Sequence, residues 1–468
     1  MLLSVLMSLR PGRRALSILV SLLALSSLRA QAPEVVGTMP EDYLPALKAV
    51  LTAALKQAPQ TIAKEIELSQ AAARIYVADA PRLPSFGGYA NYASNETATT
   101  ANTSNRTRDN GGFYNFGLSQ ALFHWGALKN ESEKARIGVL IAQKSYQEAY
   151  RTLAVTLRRS YLELVVKKAQ IAQARFERGL LIADLTLAED KMKDGLVAGG
   201  EVAGRKLNLE EVSFRLEKAE VEFAAMRRAF GRLSGTPEPT ENSIPDEVPK
   251  PVYSATVASS LLNTFARDGV RETFQAKVSQ LRVQEADLNY KIARVRLLPK
   301  FKAGANYSLE NTTNASATSV TQQGVSRQTL TIGADWAIFD GFATRGYKLD
   351  ALATKRLRER DLQSATEAAL DAVQSLADQL RLDARAVEMA ELRLALAAAQ
   401  LAKYEDEFKL GNVAQTAVDG LANAVKQSAI NAAAARASYL SRWSEFVSLT
   451  TVDPVLNQLP ARHDREKR

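Results

Sequence analysis

Residues able to do chemistry are few in this chain. Its 468 residues include two histidines, His124 and His463, and no cysteine. Without cysteine there is no thiolate metal site, no disulfide and no thiol to carry a lipid. His124 falls at a predicted strand-to-helix junction and His463 in a charged tail, so they form no pair. No glycine-rich phosphate loop, Ser-His-Asp set or metal-ligand spacing appears. Carboxylate pairs such as Glu210 and Glu211 lie on a helical face, where water solvates them. The sequence therefore predicts no catalytic residue, no cofactor and no metal. A formal net charge of +9 spread over a long helical chain reads as a solvated surface and gives no basis for nucleic-acid binding.

The elements hold the information instead. A Pro-free stretch rich in Ala, Leu, Glu, Gln, Lys and Arg runs from Ala127 to about Lys193, and another from Ala343 to about Lys409. Such residues favour helix, and a run of this length makes a rod of roughly 100 Å. Each rod is entered through an apolar turn, Ala121-Leu122-Phe123 or Ala337-Ile338-Phe339. Each ends at a glycine, Gly195-Leu196-Val197 or Gly411-Asn412-Val413. The offset is 216 residues at both ends, so the chain is a tandem repeat. Arg10, Arg13 and Arg14, the apolar run Ala15 to Leu28 and the exit Leu28-Arg29-Ala30-Gln31-Ala32 predict a cleaved signal peptide over residues 1–30. Cleavage there lowers the net charge from +9 to +5.

The first repeat is expected over residues 31–236. It begins with a helix at 42–80 that Pro59 should kink or break. Strand-like runs follow at Ser85–Ser94 and Phe113–Leu122, around a polar loop from Asn95 to Asn110. Tyr114, Phe116, Leu118 and Leu122 share one face of the second run; Asn115, Gly117 and Ser119 share the other. The second repeat, residues 255–451, begins with a helix at 255–298. Its strands run from Phe301 to Leu309 and from Thr329 to Ile338, around a loop from Glu310 to Ser326. There Leu330, Ile332 and Trp336 oppose Thr329, Thr331 and Asp335. Aromatic-rich outer faces, small polar inner faces and about ten residues per run mark transmembrane β-barrel strands, with Tyr114, Phe116, Leu118, Leu330, Ile332 and Trp336 facing lipid. Four strands cannot close a barrel; three chains would supply twelve.

Val373, Leu380, Val387, Leu394, Leu401 and Phe408 recur every seven residues, the spacing of a coiled-coil seam. Return helices at 201–233 and 416–449 complete the repeats. In length, 42–80 plus 201–233 matches one long rod, so two short helices placed end to end would flank it; 255–298 and 416–449 would flank the other. Prolines 237, 239, 245, 249 and 251 make residues 237–254 an irregular connector, and residues 452–468 read as a charged tail.

In this order, the motifs resemble the outer-membrane efflux proteins, the TolC-like exit ducts, over about residues 42–450. Pro84-Ser85-Phe86 and Pro299-Lys300-Phe301, each leading to Ala-Asn-Tyr (90–92 and 305–307), are similar to the family's helix-to-strand entry. Gln120-Ala121-Leu122-Phe123 and Trp336-Ala337-Ile338-Phe339-Asp340-Gly341 resemble its strand-to-helix exit. Ala121 and Ala337 replace the usual proline there, and His124 the usual acid or amide. Gly195-Leu196-Val197-Ala198 is similar to the helix tip that the family presents to a periplasmic adaptor, and Leu233-Ser234-Gly235 to the end of its return helix.

The resemblance implies a mainly α fold with a membrane β part: a homotrimer with a twelve-stranded barrel in outer-membrane lipid and a periplasmic helical barrel. It implies passive conduction of substrates, for efflux or type I secretion. The partners would be a periplasmic adaptor and an inner-membrane pump of the RND, ABC or MFS type. Gly195, Leu196, Val197, Gly411, Asn412 and Val413 are the expected adaptor contacts, although the glycines also serve as helix caps. A gate near the tips would use Glu201 and Asp419, since Ala417 and Gly420 stand where some relatives carry Asp. Both acids also suit the positive end of a helix dipole. The alternative is a periplasmic coiled-coil adaptor or scaffold, against which the two amphipathic hairpins and the whole-chain duplication argue.

Overall fold

The computed structural model describes residues 39–100, 104–316 and 319–458. The expected signal peptide, His463 and the last part of the expected tail lie outside them. Helices α1 (Pro40–Tyr43), α2 (Pro45–Gln57) and α3 (Pro59–Asp79) open the described chain. Each begins with proline, whose missing N–H and fixed φ suit the first helical position. The expected helix at 42–80 is thus three pieces, broken at Pro45 as well as Pro59. Strands β1 (Ser85–Thr100) and β2 (Ser104–Phe123) lead to α4 (Ala127–Lys193) and its return helix α5 (Gly199–Ser234).

The second half starts with α6 (Ala255–Thr264) and α7 (Phe274–Arg294), which replace the single helix expected at 255–298. A π-helical turn at Phe265–Gly269 and a 3₁₀ turn at Val270–Glu272 separate them. Thr273 then starts α7 as an N-cap, its Oγ1 accepting from the Ala276 N–H at 3.3 Å. Strands β3 (Lys300–Ala315) and β4 (Val320–Asp335) lead to α8 (Ala343–Lys409) and α9 (Gln415–Leu449).

All four strands form one antiparallel sheet in the order β1-β2-β3-β4, so β2 and β3 join the two halves and β1 and β4 are open edges. The strands are longer than their apolar faces. Asn95 pairs with Asp109 and Asn311 with Gly324, so the stretches expected as loops continue the ladder. Residues there are polar on both faces and give no two-residue hydrophobic period, while the backbone still pairs.

The helices lie alongside in a matching order. Helices α3 and α5 both pack along α4, α7 and α9 along α8, and α4 joins the halves through α7 and α9. The core is thickest where the short helices meet end to end. Leu47, Tyr150, Leu153, Leu157, Tyr161, Leu162, Val165, Leu440, Trp443 and Phe446 are all buried there. Val373, Leu380 and Val387 of the heptad series are buried as well.

Candidate functional site

Register places most of the apolar residues of the four strands on one face, with Tyr89, Phe113 and Val325 on the other. Phe86 pairs with Leu118, Leu118 with Ala305 and Ala305 with Leu330. The neighbouring rows are Gly88–Phe116–Tyr307–Gln328 and Ala90–Tyr114–Leu309–Ser326. The opposite face carries Ser85, Ser119, Gly304 and Thr331, then Gly87, Gly117, Asn306 and Thr329. Tyr114, Phe116 and Leu118 are about half exposed, and Leu330 and Ile332 are 81 % and 76 % exposed. A contiguous aromatic and aliphatic face of this size needs a covering phase. Trp336 lies just beyond β4, which ends at Asp335, so it is not a strand residue. In β2 the register shifts between Ala121 and Phe123, leaving Leu122 as a bulge rather than a regular outward position.

Both strand-to-helix exits pass through two consecutive left-handed residues, Trp125-Gly126 and Gly341-Phe342. Glycine and aromatic exchange places between the repeats. The Trp125 indole N–H donates to the Pro299 carbonyl at 2.7 Å and ties the first exit to the second entry. Phe123 meets Trp125 and Phe339 meets Phe342 edge-on, with centroids 5.0 and 5.4 Å apart.

At the other end, both helix tips close as Schellman turns. Leu196 N–H donates to Lys191 O at 2.8 Å and Gly195 N–H to Met192 O at 3.0 Å. In the second tip Asn412 N–H donates to Glu407 O and Gly411 N–H to Phe408 O, both at 2.9 Å. Gly195 and Gly411 have φ of +74° and +80°, the left-handed conformation that this cap requires. Leu196 and Leu410 project into solvent at 75 % and 72 % exposure, while Val197 and Val413 are half-buried. The Asn412 side-chain amide donates to Glu407 Oε2 at 2.6 Å, which occupies it within the turn.

The two acids near the tips are engaged locally. Glu201 accepts from Arg205 Nη2 at 2.7 Å, and the same guanidinium holds Asp184 Oδ1 at 2.5 Å. Hydrogen bonding to Glu201 and attraction from both acids raise the Arg205 pKa. Asp419 accepts from the Gln415 amide at 2.7 Å.

One constellation escaped the sequence reading. Arg158 of α4 has no exposed surface and lies between Glu41 of α1 and Asp453. Its Nε donates to Glu41 Oε2 at 2.9 Å, and Nη2 also reaches Glu41 Oε1. Nη1 and Nη2 donate to the two Asp453 oxygens at 2.6 and 3.0 Å, and Nη1 reaches Ser444 Oγ at 3.3 Å. Burial opposes the charge on Arg158, but Asp453 and Glu41 outweigh it and raise the pKa further. Asp453 Oδ1 also accepts from the Val455 N–H at 3.1 Å, at the start of the 3₁₀ turn Pro454–Gln458. The beginning of the expected tail is therefore part of the core, clamped with α1 at mid-rod. No sequence signal marks this, because the partners are 117 and 295 positions from Arg158.

A sheet with one lipid-like face, continuous with two helical rods that end in exposed glycine turns, defines a segment of a membrane-anchored duct. The family model described as outer membrane efflux protein matches residues 50–225 and 273–450, once over each repeat. The chain belongs to the outer membrane efflux protein family, a family of channels rather than enzymes, and is an exit duct for efflux.

Solved structures of similar fold are outer-membrane channels. The Campylobacter jejuni channel CmeC is 15% identical with a TM-score of 0.67, over 88% of this chain and 86% of that one. VceC from Vibrio cholerae is 15% identical with a TM-score of 0.60, over 88% and 97%. The open state of the Neisseria gonorrhoeae channel MtrE is 14% identical with a TM-score of 0.59, over 89% of both chains. No curated protein matches the sequence. Among the described residues no helix is long and apolar enough to cross a membrane, and none group into a metal site.

Proposed function

We propose that three copies close a twelve-stranded barrel in the outer membrane above a helical tunnel, through which an inner-membrane pump expels its substrate. The observation that carries this is a pair of matched open flanks. The sheet leaves β1 and β4 unpaired, and its apolar face suits lipid, where an open edge cannot persist. Tyr114, Phe116, Leu118, Leu330 and Ile332 are the lipid-facing residues of this reading.

The helices repeat the pattern. Leu207, Phe214 and Val221 form an exposed seven-residue series on α5, and Leu382, Met389 and Leu396 form another on α8. Helix α5 lies on the α4 side of the array and α8 on the α9 side, so the two series are half-seams on opposite flanks. Joining β4 to the next copy's β1 brings that copy's α5 beside α8. The detergent-extracted protein should have about three times the mass of one chain. Phe214→Glu or Met389→Glu should yield monomers. A monodisperse wild-type monomer would refute the trimer.

The tip turns are the docking surface for a periplasmic adaptor in this reading, with Gly195, Leu196, Val197, Gly411, Asn412 and Val413 as contacts. Exposed Leu196 and Leu410 supply the apolar area that a helical hairpin partner would cover. Leu196→Asp combined with Leu410→Asp should leave the native mass unchanged and abolish efflux in cells. Intact efflux from that double variant would move the docking surface elsewhere. Glu201 and Asp419 are the candidate gate acids of this reading.

A further inference from the structure

The polar face of the sheet is not uniformly charged. From the helix end outwards it carries Lys300 opposite Asp335, then Lys302, then Arg327 opposite Ser308. Beyond these come Glu310, opposite Val325, and Asp109, opposite Asn314. Lys302 Nζ is 2.8 Å from Asp335 Oδ2, so that pair is neutral. Lys300, Arg327 and Glu310 are exposed. The described residues place no hydrogen bond or ion pair on any of the three. The remaining inward positions at this level are Ser, Gly, Asn, Thr, Ala121, Tyr89 and Phe113, none of which can cancel a charge.

The apolar rows on the other face run from Phe301–Ala334 to Leu309–Ser326. Arg327 therefore lies at the level of the apolar band, Lys300 borders its helix end, and the acids lie at and beyond its outer edge. Each chain places one uncompensated positive charge within the band, one at its helix-side edge, and two negative charges at its outer end.

We propose that the barrel lumen is an electrostatic filter: Lys300 at the helix-side edge of the membrane band and Arg327 within it form cationic rings, and Glu310 and Asp109 form an acidic outer mouth. The lumen then favours solutes carrying an anionic group at the barrel's inner end. This rests on the trimeric duct proposed above, since a single sheet encloses no lumen. Backbone pairing alone needs no charge on the inward face.

The test is the ion selectivity of purified channels in planar bilayers under a KCl gradient. Arg327→Gln combined with Lys300→Gln should lower the chloride-to-potassium permeability ratio. One ring of three charges about 8 Å from the axis, screened by 0.1 M salt, raises chloride and lowers potassium about threefold each, so losing one ring should lower the ratio about tenfold. Arg327→Lys should retain the wild-type ratio. Lys300→Gln alone, at an exposed unpaired site, should shift the ratio in the same direction if the double variant fails to assemble. A conducting trimer with an unchanged ratio in these variants would overturn the filter and leave the duct intact. A wild-type protein that is monomeric and carries no current would overturn both.

Discussion

Arg158→Leu should be the most damaging single substitution in the helical part of the chain. It removes a fully buried guanidinium and leaves Glu41 and Asp453, 6 % and 2 % exposed, as like charges with no counter-ion. Breaking a buried pair from one side typically costs about 3–5 kcal/mol, because the abandoned charge has lost its water without compensation. Here two carboxylates are abandoned, so the upper end of that range applies. The loss should be local before it is global. Helix α1 and the Pro454–Gln458 turn are short, and both are tied to the rod through this side chain. Hydrogen exchange should accelerate first in these segments. Arg158→Leu combined with Glu41→Leu and Asp453→Leu should recover much of the loss, since replacing a whole buried ionic group by apolar residues is often neutral or better. Thermal unfolding of the assembled protein, compared at one protein concentration, would measure both. A single variant within about 0.5 kcal/mol of wild type, the scale of ordinary surface changes, would show that the cluster holds nothing together.

This clamp also shows where sequence reading reaches its limit. Both long rods are legible because a Pro-free run of helix formers and a seven-residue apolar period are local signals. So are the strand faces, since Tyr114, Phe116 and Leu118 alternate with Asn115, Gly117 and Ser119. The strands' outer halves are not legible. Between Asn95 and Asn110 both faces are polar, so no period survives although the ladder continues. The break at Phe265–Gly269 leaves equally little trace. A Cβ on Gly269 would come within 2.7 Å of the Phe265 ring, a constraint that exists only once the π turn has formed. Asp453 read as part of a charged tail because its partner is decided by tertiary contact. The tips are half legible: glycine at 195 and 411 announces a cap, while the engagement of Asn412 with Glu407 and of Glu201 with Arg205 emerges only in three dimensions.

The two repeats also end differently at corresponding positions, and this predicts opposite effects of two reciprocal substitutions. Gly235 closes α5 with φ of +70°, and 216 positions later Thr451 follows α9 with φ of 62°. At Gly235 two constraints coincide. The left-handed conformation costs a side-chain-bearing residue about 1–2 kcal/mol. A Cβ there would also lie 2.2 Å from the Gln57 carbonyl oxygen and 2.9 Å from Ala58 N, main-chain atoms at the α2–α3 break. Those atoms cannot yield easily, because Ala58 is fully buried and its carbonyl accepts from Thr61 Oγ1 at 2.8 Å. Gly235→Ala should therefore force the α5 end away from the α2–α3 break and cost at least about 3 kcal/mol, strain and overpacking together. Thr451 bears the same backbone conformation with a β-branched side chain, which is strained wherever it occurs. Thr451→Gly should relieve that strain and raise stability by about 1 kcal/mol, less the entropy that glycine adds to the unfolded chain. Thermal unfolding of the two variants side by side separates the causes. If Gly235→Ala costs only what its φ predicts, the helix joint is compliant. If Thr451→Gly destabilises, the threonine side chain supplies contacts worth more than its strain, and the second joint is held by that residue rather than by its backbone.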